Sequence, residues 1–310
     1  MHISDVFYPE SPLARATVDL LNATLIICAV IFALVASLVV ICIVRFRGRP
    51  GQPEPHQFRG HKQLEIVWTV IPLLLLAFLF VLTVRAMNAS DPPDKSQPPD
   101  VVVIGHQFWW EVHYPQSGVV TANEIHIPAG RRLLLQLKTA DVIHDFWVPQ
   151  LSRKMDTMPD RANLMWVQAD QPGVYHGACS EFCGAQHAWM RIQVIADSPG
   201  QFAAWQQRQL QPVHAPDAAS AQRGTQLLQQ LTCVTCHAVD ERTAARQAGP
   251  DLRHLADRHT LGAGVVTNTA DNLARWLKNP QAVKPGNLMP NMQLSDEQVA
   301  DLVTYFRSQP

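Results

Sequence analysis

The sequence predicts a multidomain chain: a transmembrane α-helical hairpin, then an all-β domain, then an all-α domain. Three observations carry that expectation. Two long uncharged apolar runs stand near the N-terminus, short β-branched and aromatic runs broken by Pro, Gly, Asn and Asp fill the middle, and helical periodicity takes over from about residue 219. At 310 residues the chain has room for two or three compact units. A net charge of −1 points to no nucleic acid and no other polyanion as partner.

The hairpin comes first. Ala23 to Val44 is 22 residues without a charge, and Ile66 to Val84 is 19. Each is long enough to cross a hydrocarbon core of roughly 30 Å as a helix. Pro72 in the second run is compatible with this, because membrane helices tolerate proline better than soluble ones. The joining loop carries Arg45, Arg47, Arg49, Arg59 and Lys62, against Arg15 before the first run and Arg85 and Lys95 after the second. The loop is therefore expected on the cytoplasmic side and both termini outside, which in a bacterial inner membrane puts everything after about residue 90 in the periplasm. The N-terminus has no charged region leading into a short apolar stretch of its own, so a cleaved signal peptide is expected to be absent or already removed. Neither apolar run contains a histidine, so no haem ligand is expected within the membrane.

A proline-rich linker, "ASDPPDKSQPPD", leads to the all-β domain, whose runs include "VVVIGHQFWWEVHY", "RRLLLQLK", "HDFWVP" and "NLMWVQA". Their spacing predicts a sandwich or barrel. The expected divisions are 1–98 for the N-terminal segment and hairpin, 99–196 for the β domain, 197–218 for a linker and 219–310 for the α domain. The last helix should begin at Ser295, which has Gln298 three residues on as a capping box.

The six cysteines fall into pairs, with no sign of a disulfide framework. Cys233, Cys236 and His237, in "CVTCH", form the attachment signature of a c-type haem: two thiols for the vinyl groups and an imidazole for the iron. A redox dithiol would need a βαβ context, and a zinc site only His254 and His259 at poor spacing. Met289 is the expected sixth ligand and Met292 its rival. Over nearly all of 219–310 the chain resembles class I cytochrome c. Gly249-Pro250 resembles the segment whose proline carbonyl orients the histidine, and Gly224 and Tyr305 match the crossing of the first and last helices.

The stretch "CSEFCGAQHAWM" (179 to 190) asks for a different metal. A mononuclear blue-copper site needs one cysteine; here Cys179 and Cys183 could bridge two soft ions, each taking one imidazole, with Met190 and a main-chain carbonyl as weak ligands. His187 supplies one imidazole and His144 is the best candidate for the other, with His106, His113, His126 and His176 as alternatives. Tetrahedral zinc on Cys179, Cys183, His187 and His144 competes but leaves Met190 without a role.

With these residues in place, 15–196 resembles subunit II of cytochrome c oxidase, and the whole chain resembles the fused subunit II of caa-type haem-copper oxidases. The resemblance implies a Greek-key cupredoxin domain holding dinuclear copper A. Its ligands would be His144, Cys179, Cys183, His187, Met190 and the Glu181 main-chain oxygen, with the Glu181 carboxylate reaching magnesium at the boundary with subunit I. It implies Glu65 at the mouth of a proton path, where an ordinary interfacial acid is the plainer account. It further implies partnership with subunit I and with subunit III, and cytochrome c or a quinol-cytochrome c reductase as donor. The family's G-x-Q-W-Y-W appears here as "GHQFWW", so Phe108 replaces the tryptophan through which soluble cytochrome c delivers electrons, followed by Trp109 and Trp110. Electron entry chiefly from the tethered haem would relax the need for that tryptophan. From another functional class, a stand-alone membrane-anchored electron carrier or copper-binding protein would share both sites but gain nothing from Glu65 or Glu181.

Overall fold

The computed structural model describes residues 3–48, 51, 54, 56–57, 59–91, 94, 96–213, 217–241, 243 and 248–309. Two compact units emerge, one comprising Met1–Ala14 with Asp91–Pro310, the other Arg15–Ser90.

The second unit holds most of α1 (Pro12–Arg45) and all of α2 (Lys62–Ser90). Both are long and apolar enough to cross a membrane, and their apolar windows bury nothing inside the protein. Such all-round apolar surface is stable only in lipid or against another subunit. α2 runs through Pro72 unbroken. Of the basic residues expected to set orientation, Arg49 and Lys95 lie outside the described residues.

In the first unit, ten strands form two stacked sheets. They are β1 (Val101–His106), β2 (Trp109–Tyr114), β3 (Val119–Ala122), β4 (Glu124–Pro128), β5 (Leu133–Thr139), β6 (His144–Trp147), β7 (Met155–Thr157), β8 (Asn163–Val167), β9 (Gly173–Cys179) and β10 (Arg191–Asp197). One sheet has the order β3-β2-β1-β5-β8 and the other β4-β10-β9-β6-β7, with β1 parallel to β5 and β4 parallel to β10. Alternation sets the faces: Val101 and Val103 of β1, and Leu133, Leu135 and Leu137 of β5, point into one core with Ile125, Phe146 and Val194 of the facing sheet. This is a cupredoxin-like sandwich. The segment before α1 is stitched to it, Glu10 N–H donating to Gln150 O and Ser11 Oγ to Leu151 O.

Residues 197–218, expected as a linker with a short helical stretch near Phe202 to Gln209, contain α3 (Pro199–Gln209), started by a Ser198–Gln201 capping box and pinned to the sandwich by Phe202 and Trp205. The α domain follows with α4 (Ala219–Gln230), a short hairpin of β11 (Thr260–Leu261) and β12 (Val266–Thr267), α5 (Ala270–Lys278), α6 (Pro280–Val283) and α7 (Asp296–Ser308). The Ser295–Gln298 box caps α7 as expected. Helices α4 and α7 cross at Gly224, where a Cβ would come within 2.5 Å of Asp301 O and 2.7 Å of Tyr305 Cβ. The β11–β12 hairpin was not expected from the sequence; Gly262, Ala263 and Gly264, all at positive φ, make its turn.

Candidate metal and haem centres

The β9–β10 connection is a closed loop. Cys179 ends β9, Arg191 starts β10, and Cys179 N–H donates to Met190 O at 2.9 Å. Ser180 N–H donates to Asp145 O at 3.0 Å, tying the loop to β6, where Phe146 pairs with Cys179. Within the loop Gly184 has φ +128°, left-handed space that other residues avoid, and a short turn at His187–Trp189 returns the chain to β10.

That closure converges six donors. The sulfurs of Cys179 and Cys183 lie 3.8 Å apart. His144 Nδ1 is 3.8 Å from Cys179 Sγ, and His187 Nδ1 is 3.7 Å from Cys183 Sγ. Met190 Sδ lies 3.9 Å from Cys183 Sγ, and the Glu181 carbonyl oxygen 3.2 Å from Cys179 Sγ. The donor atoms of His144, Cys179 and Cys183 all fall within 4.8 Å of one another, in a buried cluster. One imidazole thus flanks each sulfur, with a thioether and a carbonyl outside them. The set suits soft ions shared across the sulfur pair.

Three residues that sequence reasoning missed hold this arrangement. His144 Nε2 donates to Asp141 Oδ1 at 2.8 Å, which fixes the tautomer and turns Nδ1 toward the sulfurs. Gly105 makes room for the ring, since a Cβ there would lie 2.6 Å from His144 Cδ2. Gln107 donates its backbone N–H to Asp141 Oδ2 at 2.7 Å and its side-chain Nε2 to Cys183 O at 2.5 Å. The i, i+3 spacing of Asp141 and His144 was the one visible signal.

The alternative histidines are engaged elsewhere. His106 and His113 both bond Glu111, His126 bonds Asp197 and stacks on Trp205, and His176 faces Gln193. Burial alone would raise the Glu111 pKa, but hydrogen bonds from His106 and His113 outweigh it and bring it to about 2. Burial likewise opposes a charged His144, yet its hydrogen bonds to Cys179 and Asp141 raise its pKa above the usual imidazole value. The Cys183 thiol, together with His144 and backbone groups, stabilises a thiolate at Cys179 despite burial, and that hydrogen bond and burial push Cys183 up. Without an ion the pair therefore favours a thiolate at Cys179 over one at Cys183.

In the α domain the chain turns at Cys233–Thr235, with His237 N–H donating to Cys233 O at 3.0 Å. Cys233, Cys236, His237, Met289 and Met292 all line one large, mainly apolar cavity walled by Leu255, Leu273, Leu302 and Phe306. His237 Nδ1 donates to Pro250 O at 2.7 Å, leaving Nε2 as the unprotonated nitrogen that could take a metal, and burial keeps its pKa below the usual value. A Cβ at Gly249 would lie 2.5 Å from His237 Cε1. Met289 is held by its backbone: its N–H donates to Asn287 Oδ1 at 2.9 Å and its carbonyl accepts from Gln281 Nε2 at 3.1 Å. Met292, also on the cavity wall, is partly buried and packs against the hydrophobic core. Two thiols, a neutral imidazole and a thioether around an apolar cavity fit a covalently held haem.

Gln107, Phe108 and Trp109 line the same cavity, as does Lys284 of the α domain. Trp110 does not; it is fully buried in the sandwich with its ring 5.8 Å from that of His144. Of the remaining predicted residues, Glu65 lies in the first turn of α2, and the Glu181 side chain is exposed at the surface of the loop.

Family models match the chain in order: the transmembrane domain of cytochrome c oxidase subunit II over 7–85, its periplasmic domain over 117–197, and cytochrome c over 221–310. A cytochrome c oxidase subunit 2 of Alkalihalophilus pseudofirmus is 36% identical over 307 residues, covering 97% of this chain and 89% of that one. The chain belongs to the cytochrome c oxidase subunit II family. A second subunit 2, from Bacillus sp. PS3, is 36% identical over 85% of this chain and 79% of its own length. A quinol oxidase subunit 2 of Bacillus cereus is 30% identical over 64% of this chain and 71% of that one.

As a subunit II, the chain is a terminal-oxidase component with a general role in electron transfer. It is anchored by its two apolar helices, carries a periplasmic domain and works with a subunit I. The subunit II domain implies copper A and the cytochrome c domain implies haem.

Proposed function

We propose that this chain is the electron-entry subunit of an aerobic respiratory oxidase in a bacterial inner membrane. It takes single electrons at a haem domain (219–310) and hands them through a copper A domain (99–196) to subunit I, where dioxygen is reduced to water and protons are translocated. The observation that carries this reading is the sulfur pair, 3.8 Å apart, with one imidazole against each sulfur and the Met190 thioether alongside.

His144, Cys179, Glu181 through its carbonyl, Cys183, His187 and Met190 would hold two copper ions. Cys233 and Cys236 would hold the haem covalently, with His237 and Met289 at its iron. Reversible one-electron transfer is the chemistry these groups supply when bound. The protein's part is to keep the ligands from moving: Asp141 and Gly105 fix His144, Pro250 and Gly249 fix His237, and Asn287 and Gln281 fix Met289. Small ligand movement keeps the cost of reorganisation low when charge arrives or leaves. Met190 and the Glu181 carbonyl favour copper over zinc, which would leave both without a part.

At the partner boundary, exposed Glu181 is assigned to a magnesium ion shared with subunit I, and Glu65 to the entrance of a proton path. Subunit III completes the assembly, and a cytochrome c or quinol-cytochrome c reductase delivers electrons to the haem domain. Phe108, Trp109 and Trp110 form the entry region between haem and copper. Purification in mild detergent should yield one complex with a c-haem band, an a-type haem and a mixed-valence dinuclear copper signal. Zinc in place of copper, or no haem-copper partner, would overturn the reading.

A further inference from the structure

Lys284 is a buried ammonium in an unusual setting. It is 3% exposed, and its Nζ donates to two neutral carbonyls, Phe108 O in the sandwich and Gly262 O in the β11–β12 turn, each at 3.0 Å. Among the described residues no carboxylate forms a salt bridge with it. Burying an unpaired ammonium is costly, so its retention at this junction asks for a role. Its sandwich acceptor is well placed: Phe108 lines the haem cavity, and the preceding residue, Gln107, donates to the carbonyl of Cys183. Lys284 is thus linked to the backbone of the copper loop through the Phe108 carbonyl, the Phe108–Gln107 backbone and the Gln107 side chain, whose hydrogen bond ends on the Cys183 carbonyl.

Other contacts bring the same surfaces together. Glu124, 2% exposed, accepts from His259 N–H at 2.9 Å and Thr260 N–H at 2.9 Å, and Arg191 N–H donates to Ala263 O at 3.1 Å. Domains within a chain move relative to one another unless something holds them. Here the holding groups lie at the β11–β12 hairpin and Lys284, and at Asp257, which accepts from Arg208 Nε at 3.3 Å and Gln209 Nε2 at 3.1 Å of α3.

Resting on the electron-entry reading above, we propose that Lys284 is a positioning residue for electron transfer within this chain. It clamps the haem domain to the Phe108 carbonyl, so that the cavity and the copper loop keep one fixed separation. With haem and copper bound, one electron would pass from the haem domain to the copper loop with no atom transferred, and the clamp would let it do so without a domain swing. A donor outside the chain meets the haem domain, because the docked hairpin and Lys284 cover Phe108 and Trp109, which are 9% and 8% exposed.

The test uses the intact oxidase. The c haem is photoreduced and its electron followed to copper, in wild type, Lys284→Met and Lys284→Arg. Lys284→Met should lower the docked population, and with it the transfer rate, about tenfold. That rate should also become dependent on solvent viscosity, while the haem and copper spectra stay unchanged; Lys284→Arg should recover part of the loss. A Lys284→Met rate within about twofold of wild type, or one that stays independent of viscosity, would overturn the proposal. Should that variant not assemble, wild type decides alone: a rate unaffected by viscosity supports the clamp, and one that falls in proportion to viscosity refutes it. Failure of the underlying reading looks different, since wild type itself would then lack the c haem or the dinuclear copper signal.

Discussion

The copper loop and the haem cavity solve one problem, aiming an imidazole at a metal, with different materials. At each, a glycine makes room for the ring, Gly105 under His144 and Gly249 under His237. At each, an oxygen accepts from the nitrogen that is not to be a ligand. The copper side uses the Asp141 carboxylate and the haem side the Pro250 carbonyl. A carboxylate adds charge, so with Cys179 it lifts the His144 pKa, whereas His237 stays depressed by burial. The loop also brings its donors within contact distance of one another, while the haem ligands are spread around the walls of a cavity. Removing the acceptor on the copper side takes one side-chain substitution, whereas the Pro250 carbonyl is main chain and can be disturbed only by moving the backbone, as a Cβ at Gly249 would.

The largest break in this comparison should come from Cys183→Ser. It removes one of the two sulfurs proposed to bridge copper and the neighbour of both His187 and Met190, so oxidase turnover should fall more than about 100-fold with loss of the dinuclear copper signal. The c-haem spectrum should be unchanged, because no ligand of the cavity depends on Cys183; a parallel loss of haem would refute the independence of the two sites.

Asp141→Asn sharpens it. An amide can still accept a hydrogen bond but cannot supply the carboxylate charge, so copper affinity should drop about 10- to 100-fold, measured by chelator competition on the purified complex. The haem site offers no side chain for the same experiment.

The smallest effect concerns a structural carboxylate beside the aromatic stretch. Glu111 has a folded pKa of about 2 against an ordinary 4.5, so it contributes stability that is fully present above about 4.5 and lost as pH falls toward 2. Glu111→Gln should therefore lower the thermal midpoint at neutral pH by a few degrees, on the order of 4 °C. The gap to wild type should close as the pH drops below about 4.5, and a gap independent of pH would show that the charge is not what matters.

Both stretches proposed to hold metal stood out in the sequence because their donors are local. "CSEFCGAQHAWM" contributes five donors to one loop, and "CVTCH" sets two thiols and an imidazole on one turn. His144 could be chosen only among several histidines; in the fold His106, His113, His126 and His176 bond elsewhere, which supports the choice. The membrane helices, the sandwich and the α7 cap followed from hydrophobic runs, strand spacing and a capping box. What could not be read depends on contacts across the chain. Gly105 meets His144 and Gln107 meets Cys183 because the strands stack, and Lys284 reaches Phe108 across 176 positions. The β11–β12 hairpin is two residues per strand, too short for any periodic pattern to announce it.

The closed loop between β9 and β10 has a consequence for how such a centre can be inherited. Of the six proposed copper donors, all but His144 come from one continuous segment whose two ends are joined by the Cys179–Met190 hydrogen bond and the β-ladder beyond it. The metal site is thus nearly a cassette. A sandwich of this kind that presents one histidine at the start of the neighbouring strand could gain or shed the whole centre by exchanging a single hairpin connection, leaving its sheets as they were.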